Sequence, residues 1–280
     1  MSIQKDAQRS YFMPYAIKPF EELEFCDDFM FFKVMQDDEI CKELIERLLK
    51  IKIDHIKRPE LQKEIRPYYH SKGVKLDVYL KDSMNIYDVE MQNVTKEALP
   101  KRLRYYQSMV DADALLRGED YTALNDSHII FLCTTDPMGR GLPVYTFLET
   151  CCEDSDILLN DGTHKYFFNA TAAELSEDVE IRAVLDYIMT KNASDMFTEK
   201  IARFVDKVKA DESAKGEYMI ESLAIQDSKR EGRKEGIEIG LVEGERKKAI
   251  EAARNLKENG VDIQLIAKCV GLSVEEIQKL

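Results

Sequence analysis

Two acidic residues, Asp77 and Glu90, have the side-chain type and the spacing to hold a divalent cation. Residues 74–80 and 86–92 each alternate apolar and polar positions, which predicts two half-buried strands. A tight turn centred just after Ser83 would set Asp77 directly opposite Glu90, with Cβ atoms about 4.5–5.5 Å apart. Carboxylates that close repel, and a cation such as Mg²⁺ converts the repulsion into coordination. The hairpin therefore predicts a metal site for phosphodiester chemistry; an ordinary solvated acidic face is the alternative.

The same register assigns further side chains to this face of the hairpin. Lys75 is predicted opposite Gln92, and Tyr79 opposite Asp88. A slip of one residue would turn Asp77 to the other face of the sheet, so the prediction depends on the position of the turn. Acidic residues account for 53 of the 280 residues, so the spacing alone does not decide between a site and a surface.

Several segments resemble one nuclease family. Asp77, followed after twelve residues by Glu90, any residue and Gln92, resembles the core motif of PD-(D/E)XK nucleases. The likeness is greatest to the branch of PD-(D/E)XK nuclease family transposases, or recombination-promoting nucleases, in which the terminal Lys of the motif is commonly Gln. The resemblance covers residues 20–280, although Leu76 stands where the family name has Pro. Other matching segments follow in the same order at residues 28–33, 102–107 and 136–145.

The resemblance implies a fold and a mechanism. It implies an α/β, restriction-endonuclease-like core, with a mixed sheet flanked by helices and a helical C-terminal extension, that cleaves DNA with Mg²⁺ or Mn²⁺. Asp77 and Glu90 would bind the metal, and Glu43 on an earlier helix would complete its shell by analogy; a surface role is the alternative for Glu43. Gln92 carries no charge, so Lys75 is the candidate to supply the charge of the missing motif Lys. On this hypothesis, Lys75→Ala harms catalysis more than Gln92→Ala.

Composition predicts a cytoplasmic globular protein. A chain of 280 residues that is 44% hydrophobic suits one substantial core with appended helices. No apolar run reaches the roughly 18–20 residues of a membrane span, and the N-terminus lacks an apolar signal core. The six Cys form no CxxC pair and the four His are scattered, which argues against a zinc site and favours reduced thiols.

The charge of the chain is uneven. The net charge is −13, yet residues 50–104 carry thirteen Lys or Arg against eight acidic residues. DNA phosphates need local rather than global positive charge, so this segment is the predicted DNA-binding region, with a solvated loop surface as the alternative. The candidate DNA-binding residues are Lys72, Lys101, Arg102, Arg104 and Gln107.

Periodicity divides the chain into a core and appended elements. Helices are predicted over residues 40–51 and 95–116, and further strands over residues 128–134, 143–150 and 165–169. The predicted order is an N-terminal arm (1–22), the nuclease core (23–171), a helical region packed on it (172–228), a Gly-rich charged segment (229–256) and a helix-turn-helix-like tail (257–280).

The Gly-rich segment has two interpretations. Gly232, Gly236, Gly240 and Gly244 recur every four residues, and each Gly costs about 1 kcal/mol against Ala inside a helix. A flexible linker is one interpretation. The favoured one is a helical stalk whose glycines let a second copy approach closely.

The C-terminal tail resembles the start of a helix-turn-helix. Gly271 is expected to end one short helix, and Ser273 with Glu276 to form a capping box for the next. The second helix offers only Gln278 and Lys279 for base contacts, so a packing or oligomerisation element is favoured over a DNA reader.

These features favour a metal-dependent DNA endonuclease linked to recombination or mobile elements. The rival is a nuclease-derived DNA-binding or protein-binding regulatory protein with little catalysis, which the missing motif Lys and the acidic net charge favour. A third hypothesis is a nuclease that is switched on by assembly through the Gly-rich segment.

Overall fold

The computed structural model describes residues 17–53, 60–65, 73–94 and 98–280. The chain divides into two compact units, one of residues Lys18–Gly216 and one that contains Glu217–Leu280. Residues 1–16 of the predicted N-terminal arm, and residues 95–97 at the predicted start of the helix after the hairpin, lie outside the described residues.

The unit Lys18–Gly216 is built on a six-stranded mixed sheet flanked by helices, which confirms the predicted fold class. The spatial order of the strands is β1-β2-β3-β4-β6-β5. Their bounds are β1 Glu60–Ile65, β2 Val74–Lys81, β3 Asn85–Gln92, β4 Asp126–Cys133, β5 Val144–Phe147 and β6 Thr163–Asn169. The helices of this unit are α1 Asp28–Val34, α2 Asp38–Leu49, α3 Leu99–Ala114, α4 Val179–Thr190 and α5 Met196–Lys209, and α6 Glu212–Glu258 begins in it.

The hairpin of β2 and β3 has its turn where the sequence predicted it. Tyr79 pairs with Asp88, as expected from a turn after Ser83. Asp82 holds this turn, because its Oδ1 accepts hydrogen bonds from the backbone nitrogens of Met84 (2.8 Å) and Asn85 (2.6 Å). The register of the hairpin near its turn is therefore confirmed.

The alternation of β2 breaks at Asp77. Leu76 and Tyr79 belong to the same buried cluster, although strict alternation puts residues three apart on opposite faces. Lys63 of β1, the partner of Leu76, places its Nζ 3.8 Å from the centre of the Tyr79 ring, which confirms that both residues share a face. The predicted alternation through Leu80 is therefore wrong at this point. The cause is an irregularity in both strands, since Gln62, which would face Asp77 on β1, has a φ of 52°.

Helix α3 covers the face of the sheet that carries the acidic residues of β3. β4 and β6 run parallel to β3, and Glu90 lies beside Phe131 of β4. Leu103, Tyr106 and Val110 of α3 pack in one cluster with Phe131. The face of Asp88, Glu90 and Gln92 is thereby enclosed between sheet and helix, which is unusual for charged side chains.

Side-chain caps fix the starts of the helices that follow the sheet. Asp178 accepts hydrogen bonds from the first turn of α4, and Asp195 with Thr198 forms a capping box at the start of α5. Such caps contribute about 0.5–2 kcal/mol each. The segment predicted to be helical, residues 172–228, therefore consists of a short 3-10 segment (Ala170–Leu175), α4, α5 and the first part of α6.

The second unit is helical. The Gly-rich segment lies within α6, and α7 Ile263–Val270 and α8 Val274–Gln278 follow. Ala253, Ile266, Leu272 and Ile277 form the core of this unit. The tail has the geometry expected from its sequence, with Gly271 at a φ of 72° after α7 and a capping box at the start of α8. In the part of the chain that the structure describes, every helix is too short or too polar to cross a bilayer.

Candidate active site

The carboxylates of Asp77 and Glu90 lie on opposite strands, just beyond the point where the backbone pairing of the hairpin ends. The backbone pairing of β2 with β3 ends at Val78 and Val89. Beyond that pair, the Asp77 nitrogen donates to Glu90 Oε1 at 2.8 Å, and the Met91 nitrogen donates to Asp77 Oδ2 at 3.2 Å. Each carboxylate thus bonds the opposite strand, so the irregularity at Asp77 sets the geometry of the pair. The structure therefore brings together the two residues that the sequence predicted as metal ligands.

The guanidinium of Arg102 is the cation that contacts this pair. Its Nη2 donates to Glu90 Oε2 at 2.7 Å, and its Nη1 donates to Gln92 Oε1 at 2.6 Å. Nε donates to the Tyr106 hydroxyl at 2.9 Å, and the guanidinium carbon lies 4.8 Å from the centre of that ring. The planar fork of Arg102 is thus fixed on three sides, which makes it a pre-organised charge rather than a mobile surface cation.

Gln92 is oriented by its two ends. Its Oε1 accepts from Arg102, and its Nε2 donates to the carbonyl oxygen of Val94. The next residue, Asn93, donates through Nδ2 to the carbonyl oxygen of Cys26 at 2.5 Å, which ties the end of β3 to the segment before α1. Gln92 therefore carries no charge itself and accepts a hydrogen bond from a positively charged neighbour.

Burial shifts the protonation of all three acidic side chains at the site. Burial, with the charge of Asp28, raises the pKa of Asp77 to about 6. Burial, with the charge of Asp77, raises the pKa of Glu90 to about 8, although the Asp77 N–H and Arg102 act in the opposite direction. Burial and the charges of Glu90 and Asp77 raise the pKa of Asp88 well above its usual range. Perturbed carboxyl groups of this kind mark functional sites.

Two acidic residues near the pair were not predicted as site residues. Asp88 is fully buried on the same face of β3 as Glu90, and the alternation of the strand had already indicated that position. Asp28 opens α1 and acts on Asp77 through its charge. Asp28 lies in one of the segments that resembled the family, but its distance from Asp77 in sequence hid this electrostatic interaction.

Glu43, the predicted third metal ligand, is engaged elsewhere. Its Oε1 pairs with Arg47 one turn further along α2, with an N–O distance of 3.1 Å. Glu43 lines a cavity of about 550 Å³ together with charged residues of α2, α4 and α5, and neither Asp77 nor Glu90 lines that cavity. Asp28 of α1 is an acidic residue outside the hairpin whose charge acts on Asp77. The role of Glu43 as a third metal ligand stays a prediction from analogy.

The predicted DNA-binding residues fall into different environments. Lys101 and Arg104 are exposed on α3, on either side of Arg102, which belongs to the carboxylate site. Gln107 is buried and donates through Nε2 to Asp111 and Ser127, so it has no surface on which to meet DNA, which corrects its predicted role. Lys72 lies outside the described residues.

Lys75 is exposed, and it acts on Asp77 through its charge. The hydrogen bonds of the Gln92 side chain go to Arg102 and Val94. Arg102 therefore occupies the position next to Gln92 that was predicted for Lys75.

The carboxylate pair fits a hard divalent cation. Mg²⁺ is usually held by one or two carboxylates and keeps several waters, and Asp77 and Glu90 supply that number. Within residues 17–53, 60–65, 73–94 and 98–280, no three His, Cys, Asp or Glu side chains are grouped as a ready-made metal cage. The chemistry of the donors thus suits Mg²⁺ or Mn²⁺ rather than a closed structural metal site.

Comparison with known proteins supports the same interpretation. Residues 26–138 match the model of a family described as PD-(D/E)XK nuclease family transposase, which confirms the resemblance over this segment. The segment contains Asp77, Glu90, Gln92 and Arg102. Nucleases of this kind generally use divalent metal ions, and their substrate is DNA. No curated protein and no solved structure is significantly similar to the chain.

The raised pKa of Glu90 predicts how the stability of the metal-free protein depends on pH. A carboxyl group whose pKa rises from 4.5 to about 8 on folding binds its proton more tightly when folded. Its contribution to the free energy of unfolding is full below pH 4.5 and is lost as the pH rises towards 8. We expect the melting temperature of chelator-treated wild type to fall across this window relative to that of Glu90→Gln. A difference in melting temperature between the two proteins that stays constant with pH would contradict the raised pKa of Glu90.

Proposed function

We propose that the protein is a metal-dependent DNA endonuclease that hydrolyses phosphodiester bonds, in connection with recombination or mobile elements. The observation that carries the proposal is a group of three carboxyl groups held together at one place in the sheet. Those of Asp77, Asp88 and Glu90 act on one another, and Arg102 donates a hydrogen bond to Glu90. Their raised pKa values show that the metal-free site favours bound protons over three negative charges. A divalent cation that takes the place of those protons would offset the charges of the carboxylates.

The mechanism assigns one role to each residue. When bound, the metal ion supplies Lewis-acid chemistry, polarising the phosphoryl oxygen and lowering the pKa of a water. Asp77 and Glu90 hold it, with their mutual position fixed by the two hydrogen bonds between β2 and β3. Lys101 and Arg104, exposed on α3 one residue before and two residues after Arg102, are suited to contact the DNA backbone.

The charge of the absent motif Lys is supplied by Arg102 in this proposal. Arg102 bonds both Glu90 and Gln92, so it keeps a positive charge at the end of β3 and holds the Gln92 amide in one orientation. An Arg cannot lose its proton at neutral pH, so it serves as an electrostatic and positioning group rather than as a base.

Cleavage of DNA tests the function directly. Supercoiled and linear DNA are incubated with Mg²⁺ or Mn²⁺ and with wild type, Asp77→Ala or Glu90→Gln, each checked for folding by its melting temperature. We expect metal-dependent nicking or cutting by wild type, and a loss of at least about 100-fold in each variant, because each removes a metal ligand. Equal cleavage by all three proteins would show that a contaminant or another site is responsible.

The source of the positive charge is tested by two substitutions. Arg102→Lys keeps the charge but loses the double hydrogen bond, and we expect cleavage to fall about 10- to 100-fold, as for other groups that orient metal ligands. Lys75→Ala removes an exposed charge without a described bond to Gln92, and we expect less than about a threefold loss. Rates of single-turnover cleavage measure both. A larger loss in Lys75→Ala than in Arg102→Lys would return the role to Lys75.

A regulatory protein without catalysis is the second candidate, and one observation favours it. Glu90 has an exposed fraction of 0%, and both of its oxygens already accept hydrogen bonds, so the pair also suits a structural charge network. The cleavage assay separates the two candidates. Retained DNA binding, with no cutting and no metal binding by calorimetry, is the outcome that this candidate predicts.

We further propose that α6 joins two copies of the chain and that assembly supports activity. A Cβ at Gly232, Gly236, Gly240 or Gly244 would meet no atom within 4 Å, so this surface of the helix is open to close approach. Ile237, Ile239, Leu241 and Val242 are exposed beside these glycines. Exposed apolar side chains of this kind are typical of association surfaces.

Truncation after residue 228 tests this assembly. We expect the full chain to elute as an oligomer and the truncated chain as a monomer with reduced cleavage, because the apolar surface of α6 has been removed. Light scattering coupled to size exclusion gives the mass of each. A full chain that is itself monomeric, or a monomeric truncation of unchanged activity, would rule the proposal out.

A further inference from the structure

Strand β5 lies at one end of the sheet, and among the described strands it pairs with β6 alone. The Asn169 nitrogen donates to the carbonyl oxygen of Pro143 at 2.8 Å, which continues the antiparallel register of β5 and β6. Because hydrogen-bonded and non-hydrogen-bonded pairs alternate in such a ladder, the N–H and C=O groups of Val144 and Thr146 point away from β6. An edge of this kind is a template on which a further strand can pair.

An apolar groove lies next to β5, on the face of the sheet that α3 covers. The groove has a volume of about 530 Å³, and Leu103 of α3, Leu148 and Phe167 are among the residues that line it. Phe147 also lines the groove, and both Phe147 and Leu148 are exposed large hydrophobic residues. A strand added beside β5 would direct every second side chain to the side of the sheet on which this groove lies.

The segment that follows β5 combines apolar and acidic side chains. Residues 147–162, here called the acidic ribbon, contain five Asp or Glu residues and no Lys or Arg. The two arms of the ribbon pair with each other through an antiparallel bridge between Thr150 and Leu158, and Leu158 is exposed. Lys165, on β6, lies 2.6 Å from Glu149 and is committed to that carboxylate. The ribbon therefore presents apolar surface within negative charge.

The charge of the ribbon selects among the possible occupants of this surface. DNA would be repelled by five acidic residues, and a second copy paired at the same edge would bring two acidic ribbons together. A positively charged protein segment would be attracted. Lys101 follows Pro100, which lines the α3 side of the groove, so the attraction for such a segment comes from the side of the ribbon.

We propose that the open edge of β5, with the groove and the acidic ribbon, binds an extended basic segment of a partner protein. The backbone of the segment pairs with Val144 and Thr146, its apolar side chains at alternate positions enter the groove, and its Lys or Arg side chains meet the ribbon. Neither Asp77 nor Glu90 lines the groove, so the inference does not depend on the metal-dependent function proposed above.

Fluorescence anisotropy with the full-length protein tests the apolar contact and the charge. The probe is a labelled peptide of about ten residues in which Leu and Lys alternate, which is an extended strand when it adds to a sheet edge. We expect wild type to bind it, and Leu148→Ser to bind it about tenfold more weakly, because an apolar contact is removed. Leu175→Ser is the matched control, since Leu175 is also exposed and does not line the groove, and it should bind as wild type does. A peptide with Glu in place of Lys should not bind.

A substitution on β5 tests the backbone pairing. Thr146→Pro removes the N–H that points to the open edge, where Pro is tolerated in a sheet. We expect the melting temperature to stay close to that of wild type and the affinity for the Leu–Lys probe to fall about tenfold, through loss of the hydrogen bond and of the fit of the added strand. Thr146→Val keeps the N–H and should bind as wild type does.

Several outcomes would overturn the inference. Equal binding of the Leu–Lys probe by wild type, Leu148→Ser and Thr146→Pro would show a general attraction to an acidic chain. Absence of binding by wild type, or equal binding of the Glu peptide, would contradict the charge argument. A lower mass of Leu148→Ser than of wild type in light scattering would assign the edge to a second copy, and displacement of the probe by DNA would assign it to nucleic acid. If Thr146→Pro fails to fold, the comparison of Leu148→Ser with Leu175→Ser decides.

Discussion

One constraint organises this protein: three carboxyl groups lie close together beside one guanidinium. Asp88 and Glu90 are fully buried and Asp77 is half-buried, and among the described residues Arg102 is the cation that bonds Glu90. The fold tolerates this arrangement by raising the pKa of each carboxyl group and by fixing Arg102 between Glu90, Gln92 and an aromatic ring. Such a site gives up stability in the metal-free protein, and on the function proposed above a bound cation would restore it.

The sheet creates this constraint through an irregularity rather than through regular pairing. In a regular β2–β3 hairpin, Asp77 and Glu90 would simply face each other across a continuous ladder. Instead, the ladder stops at Val78, and each carboxylate bonds the backbone of the opposite strand. Gln62 on β1, in the position opposite Asp77, has a positive φ. The backbone of β1, β2 and β3 is therefore irregular around this one acidic residue. Local backbone strain of this kind is concentrated at functional sites.

The sequence predicted local features better than contacts between distant segments. The turn after Ser83 and the buried strand β4 follow from alternation and apolar runs, which depend on neighbouring residues. The break at Asp77 depends on β1, and the contact of Arg102 with Glu90 depends on the rotation of α3 over the sheet, so neither can be derived from spacing within one segment. The role of Glu43 at the site stays a prediction, because analogy gives the helix but not the direction in which each side chain points.

The most direct test is to locate the cation. Crystals of the protein grown with Mn²⁺ would give an anomalous difference map in which the anomalous scattering of Mn²⁺ produces a peak at the position of the ion. The account predicts a peak in contact with the carboxylates of both Asp77 and Glu90, and its absence in crystals of Asp77→Asn. A map without a peak at this pair, with Arg102 still the sole cation on Glu90, would contradict the central claim and leave a structural charge network in its place.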